Sequence, residues 1–157
     1  MFARMWRASI WHPEAIPVIE GQISRDLKRV VLPLFDVALI VMGVAALAGG
    51  MPSFDLVHNH LISAVAGWAL LVGGTSALFG VVFPRLWVAE AAGKLVVLLI
   101  LGAYAGALWA LVGEGSAGRA LTAGAFSGLL ALPLWNLVRL GRERRARRTR
   151  KGRKWSG

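Results

Sequence analysis

Residues 30 to 50, VVLPLFDVALIVMGVAALAGG, hold a single ionisable side chain, the carboxylate of Asp36. A bilayer's hydrocarbon core is crossed by about 20 predominantly apolar helical residues, so the stretch has the length of one span. It is too long for a buried strand and lacks two-residue alternation. The apolar part runs from Val30 to Ala48. Three further stretches have the same character. Leu61 to Phe83 is the second and is stopped by Pro84. The third has its uncharged part at Leu95 to Val112 and begins near Leu86, and the fourth is Ala120 to Val138. Every backbone polar group in lipid has to be paired within its own segment, which selects helices. The sequence predicts an all-α integral membrane four-helix bundle, with spans at 30–48, 61–83, 86–112 and 120–138.

Composition agrees. Of 157 residues 57% are hydrophobic and 17% charged, with 19 glycines and no cysteine. The length suits one domain, and the absence of cysteine excludes disulfides, thiol catalysis and thiolate metal sites. The net charge is +10, but residues 139–157, RLGRERRARRTRKGRKWSG, account for +9 of it, with ten basic residues and one acid. The body is nearly neutral and apolar, and the end is cationic. The first 29 residues carry five basic and three acidic residues without an apolar core, so no signal peptide is expected there. Three regions follow: an N-terminal segment (1–29), the span domain (30–138) and a disordered basic tail (139–157).

Lys and Arg accumulate on the cytoplasmic side of membrane proteins. Arg4, Arg7, Arg25, Lys28 and Arg29 precede the first span, and the first connection has no basic residue. Arg85 and Lys94 flank the second, the third has only Arg119, and the tail has ten. This alternation predicts a cytoplasmic-membrane protein with both termini on the cytoplasmic side. Trp87 and Trp135 then fall at the inner interface and Trp109 at the outer one, while Trp68 lies deeper and is expected to pack. Ile16, Ile19, Ile23, Leu27, Val30 and Leu34 recur at helical spacing. Residues 17–31 are therefore expected as an amphipathic helix on the inner leaflet, weighed against one long helix projecting into the cytoplasm. Trp6 and Trp11 would anchor the segment ahead of it. Pro33 cannot donate a backbone bond and should bend the chain into the first span.

Asp36 is the costly residue. Charged side chains inside membranes usually face the bundle interior and find a partner. Candidates at similar depth are Lys94 and Glu90 in the third span, Arg85 before it and Asn136 in the fourth. Glu90 and Lys94 stand four residues apart with the acid first, the favourable order on one helix. The cluster is expected to fix helix packing, with a proton or ion relay as the functional alternative. LPLFD (32–36) and LPLWN (132–136) match as Leu-Pro-Leu-aromatic-Asp/Asn. If the match has meaning, Asp36 and Asn136 hydrogen-bond across the bundle; chance is the other account.

Small residues supply a second candidate. Gly102 and Gly106 form GxxxG in the third span, and Gly124 and Gly128 do so in the fourth. Close approach through small residues is a main route to helix association in lipid. These faces predict either packing of span three on span four or a homo-oligomer. In the first connection, DLVHNH places Asp55, His58 and His60 together without a fourth ligand, so no metal site is expected. Arg142, Arg144, Arg145, Arg147, Arg148 and Arg150 form the core of the basic tail. Anionic lipid headgroups are its expected partner. Nucleic acid is not, since aromatic residues are absent from it apart from Trp155. Ser63, Thr75, Ser76, Thr122 and Ser127 can bond to backbone carbonyls of their own spans. No nucleophile elbow, HExxH or phosphate-binding loop occurs, so neither an enzyme nor a cofactor is expected.

The layout resembles the small four-span membrane proteins of actinobacterial phages, some of them holins. The stretch FPRLWVAEAAGKLVVLLILGAYAGAL (83–108) and the short basic C-terminus carry the resemblance. It implies accumulation in a host's cytoplasmic membrane, followed by oligomerisation into a lesion that frees an endolysin or collapses the membrane potential. The alternatives are a non-enzymatic, membrane-anchored interaction module whose tail binds lipid or a partner, and a small transporter or channel subunit.

Overall fold

The computed structural model describes residues 9–11, 27–57, 59–115 and 117–153. Among these residues every regular element is helical. A wide π-type turn, Leu27–Val31, leads into α1 (Leu32–Gly49), and a short α2 (Pro52–Val57) lies in the first connection. Then come α3 (His60–Val82), a 3-10 turn at Pro84–Leu86, and α4 (Trp87–Gly113). A second 3-10 turn, Ala117–Arg119, precedes α5 (Ala120–Leu129) and α6 (Ala131–Arg153). Four helical stretches are long and apolar enough to cross a membrane: Leu27–Gly49, His60–Val82, Trp87–Gly113 and Ala120–Arg142. They coincide with the four expected spans to within a few residues.

The boundaries have local causes. Gly50 adopts φ 71° directly after α1, and Gly115 φ 98° after α4. This left-handed conformation is readily available to glycine and ends helices. Asn59 caps α3 by accepting a hydrogen bond from the Ile62 N–H at 3.0 Å. The two Leu-Pro-Leu stretches behave alike. The wide turn at Leu27–Val31 stands just before Pro33, and the break at Leu130 stands three residues before Pro133. In both places the chain adapts where proline withdraws an N–H and crowds the preceding turn.

Packing is serial. The first span lies on the second, the second on the third, and the third on the fourth, while the fourth makes no comparable contact with the first two. On α1 the buried residues are Leu32, Pro33, Asp36, Leu39, Gly43 and Ala46; on α3 they include Gly67, Leu70, Gly74, Ala77 and Val81. On α4 they include Glu90, Lys94, Val97, Leu101 and Leu108. These are seven-residue repeats, the period of helices packed knobs into holes at a shallow angle. Glycine makes the contacts close. A Cβ on Gly43 would lie 2.7 Å from the Leu71 nitrogen, and one on Gly93 would lie 2.5 Å from the Gly73 oxygen and 2.7 Å from the Ala77 nitrogen. One on Gly80 would overlap the backbone of Glu90.

The two ends differ. At one end, here the distal end, Met51 and Phe54 of the first connection are buried. Phe54 packs on Tyr104 at 5.9 Å between ring centroids, and Tyr104 meets Phe126 edge-on at 4.7 Å. Trp109 donates its indole N–H to Ser127 Oγ at 3.1 Å, joining α4 to α5. At the opposite, basic end, Ile10 is buried against Leu32 and Val81. Its N–H donates to the Val82 carbonyl at 3.0 Å, and the Trp11 indole donates to the Arg29 carbonyl at 3.2 Å.

One expectation changes here. Trp68 does not pack inside: it is 58% exposed on the outer surface of α3, because the buried face of that helix is occupied by its glycines and alanines. Of the basic tail from 139, residues 139–153 run on as backbone helix at the end of α6. Arg, Lys, Ala and Glu are good helix formers, and the apolar start of α6 nucleates the turns that follow. Of the expected amphipathic helix at 17–31, only 27–31 is described, and there it is the wide turn; Trp6 and residues 17–26 lie outside the described residues.

Candidate functional site

The strongest concentration of buried polar chemistry lies one to two turns inside the basic end. Asp36, Lys94 and Asn136 are each 0% exposed and Glu90 is 5% exposed. Asp36 comes from α1, Glu90 and Lys94 from successive turns of α4, and Asn136 from α6. The second span contributes no polar side chain to the layer. It contributes space instead: Gly74 faces the backbone of Asp36, and Gly80 lies against the backbone of Glu90. With side chains there, α1 and α4 would be held apart and their charges could not meet.

Two links cross the layer. Lys94 Nζ donates to Asp36 Oδ1 in a buried ion pair, and the ammonium also lies 5.3 Å from the centre of the Phe35 ring, within cation–π range. Asn136 Nδ2 donates to Glu90 Oε1 at 2.6 Å. Each end of the Leu-Pro-Leu match therefore bonds to α4, one turn apart, rather than to the other. The expected Asp36–Asn136 bond is not formed, because α4 stands between the first span and the fourth. Asp36 Oδ2 and Asn136 Oδ1 are buried without a hydrogen-bond partner.

The sequence-derived set is thus brought together in four of its five members. Arg85 is not one of them: it is exposed on the Pro84–Leu86 turn, outside the layer. One turn beyond Asn136, Arg139 stacks over the Trp135 ring at 5.4 Å. The role of glycine in the second span was missed by a search for GxxxG. The signal present was a spacing of seven, Gly67 with Gly74 and Gly73 with Gly80.

The small-residue faces have a different outcome. A Cβ on Gly102, Gly106, Gly124 or Gly128 would meet nothing within 4 Å. Packing of span three on span four through these glycines, one of the two expectations, is therefore not observed; that contact uses Tyr104, Trp109, Phe126 and Ser127 instead. Among the hydroxyls, Thr75 donates to the Leu71 carbonyl at 2.7 Å and Ser127 to the Ala123 carbonyl at 2.8 Å. Ser63 does not follow them: its Oγ is buried and without a partner. In the first connection His60 is exposed, Asn59 serves as a cap, and His58 lies outside the described residues. Arg142 is exposed on α6; Arg144, Arg145, Arg147, Arg148 and Arg150 are placed on its backbone course alone.

Chemically the layer is a polar lock joining spans one, three and four, built on the glycines of span two. Comparison with protein families, with curated proteins and with solved structures finds no match in any of the three.

Proposed function

We propose that this chain is a holin-like protein, which accumulates in the cytoplasmic membrane of a bacterial host and permeabilises it by self-association. The observation that carries the proposal is the division of glycines into two populations. Gly43, Gly67, Gly73, Gly74, Gly80 and Gly93 are consumed by contacts within the chain. Gly102, Gly106, Gly124 and Gly128 face outward with nothing against them, on the two spans that end the series. Small outward faces suit helix–helix contact between copies in lipid. The lysine and arginine distribution supports both termini inside, which puts the polar layer toward the cytoplasm and the aromatic cluster toward the exterior. The basic segment of α6 would then meet anionic headgroups, which attract such residues by about 1 kcal/mol each near the surface.

The test is induced expression in bacteria with a membrane-potential dye. Abrupt depolarisation and growth arrest support the proposal, and Gly106→Leu or Gly124→Leu should delay or abolish them at unchanged protein level. Harmless accumulation would reject it in favour of a membrane-anchored module, for which the helix running on to Arg153 would be the binding element. Topology is checked separately. An impermeant thiol reagent should label Ser53→Cys and Ser116→Cys in intact cells and spare Ser156→Cys.

A further inference from the structure

We propose that residues 9–11 form a strap that closes the basic end of the bundle over the polar layer, fastened by the Trp11 indole and the Ile10 backbone. The inference rests on the contacts at that end and is independent of membrane permeabilisation.

Two backbone carbonyls carry it, each close to a proline. Four residues after Arg29 stands Pro33, which has no N–H with which to close the helical bond to the Arg29 carbonyl. The Trp11 indole donates there, at 3.2 Å. Val82 ends α3 two residues before Pro84. The N–H four residues on from it, that of Leu86, is turned to the Phe83 carbonyl at 2.8 Å, and the Ile10 N–H donates to the Val82 carbonyl at 3.0 Å. Carbonyls left unpaired away from water are costly. Two adjacent residues thus each supply a donor that the end of a span withholds. One fastening lies at the entry to the first span and the other at the exit from the second, so the strap ties the two together.

The Ile10 side chain fills the space beneath. It is buried in one cluster with Leu32 and Val81. Leu32 lies one turn before Asp36 on α1, and Val81 follows Gly80, the residue whose missing side chain admits the backbone of Glu90. The three apolar side chains therefore stand between the polar layer and the basic end. Water reaching the layer would raise the local dielectric and weaken the attraction between Lys94 and Asp36. The strap keeps it out. Being held by two hydrogen bonds and one isoleucine, it can open while the glycine-packed spans stay together, as locally unstable segments do. The N-terminal segment thereby controls the access of water to the layer.

Thiol labelling of the full chain in lipid nanodiscs, whose two aqueous faces are both open, tests this. The chain has no cysteine, so Val81→Cys supplies a single buried thiol beneath the strap, and Ala66→Cys a buried reference toward the distal end of α3. A charged methanethiosulfonate should label Val81→Cys slowly while the strap is intact. Trp11→Phe keeps an aromatic ring and loses the donor. It should speed that labelling by about tenfold, the factor that the loss of about one hydrogen bond corresponds to, and leave Ala66→Cys unchanged. Ile10→Ala, which shrinks the apolar contact, should act in the same direction. Labelling of Val81→Cys under an intact strap as fast as that of the exposed His60→Cys would overturn the proposal. So would an unchanged rate in Trp11→Phe. An equal rise at Ala66→Cys would overturn it too, since the whole bundle would then have loosened. If Trp11→Phe does not fold, Ile10→Ala decides by the same two rates.

Discussion

The first three spans and the fourth are held by different means. Spans one to three interlock through glycine: backbone touches backbone at Gly43, Gly80 and Gly93, and a charge pair crosses between α1 and α4. Among the described residues the fourth packs chiefly on the third. Over its most apolar window only 17% is buried, against 44% in the second span. It is attached by one amide–carboxyl bond near the basic end and by an aromatic contact and an indole–hydroxyl bond toward the distal end. In lipid the hydrophobic effect does not press helices together, so close packing and polar links decide which helices stay joined. By that measure the chain is a tight three-helix unit carrying a lightly fastened fourth helix.

The comparison can be broken most severely at Lys94. Lys94→Leu leaves Asp36 and Glu90 buried without a counter-charge, and removal of one partner from a buried pair costs about 3–5 kcal/mol. Loss of accumulation in the membrane, read by immunoblot, is the expected result. Asp36→Leu should lose less, since Lys94 retains the Glu90 carboxyl as a neighbour, and the double variant should recover part of the loss. Next come the buried glycines. Gly93→Leu or Gly80→Leu overpacks a backbone contact, at about 1–3 kcal/mol or more, which should lower the thermal midpoint of the purified protein. Asn136→Leu removes the amide from Glu90 and leaves a buried acceptor unmatched, about 1–3 kcal/mol. Its mark should be local, a rise in proteolytic or hydrogen-exchange susceptibility confined to the fourth span. The smallest effect belongs to Gly106→Leu and Gly124→Leu. Unfolding free energies within about 0.5 kcal/mol of the parent are expected, and a large loss in either would show that these faces are occupied within the chain.

The spans were legible because hydropathy measures transfer into lipid, which depends on composition and length. Which way a helix turns its faces is another quantity, and composition carries little of it. Hence Trp68 was misplaced, and the glycine faces were left between two readings, while every span was found. Lys94 could be named as a partner of Asp36 because charge and depth alone restrict the choice. That Asn136 bonds Glu90 instead of Asp36 depends on the order in which the helices lie side by side, and no single segment encodes that order. Arg85 shows the same limit: depth admitted it, but the turn at Pro84 carries it past the layer.

The serial arrangement of the spans matches the direction of translation. A ribosome delivers the first span, then the second, then the third, and each finds its principal neighbour already in the bilayer. The third brings a second charge into the bilayer, because Lys94 lies about two turns inside α4 and a charged side chain there opposes membrane entry. Its counter-ion, Asp36, was synthesised 58 residues earlier and is already waiting on a helix docked against the second. Assembly can therefore proceed from the N-terminus without holding an unpaired charge in lipid for longer than the synthesis of one hairpin. The fourth span, made after the other three, is the one span whose attachment no earlier step requires.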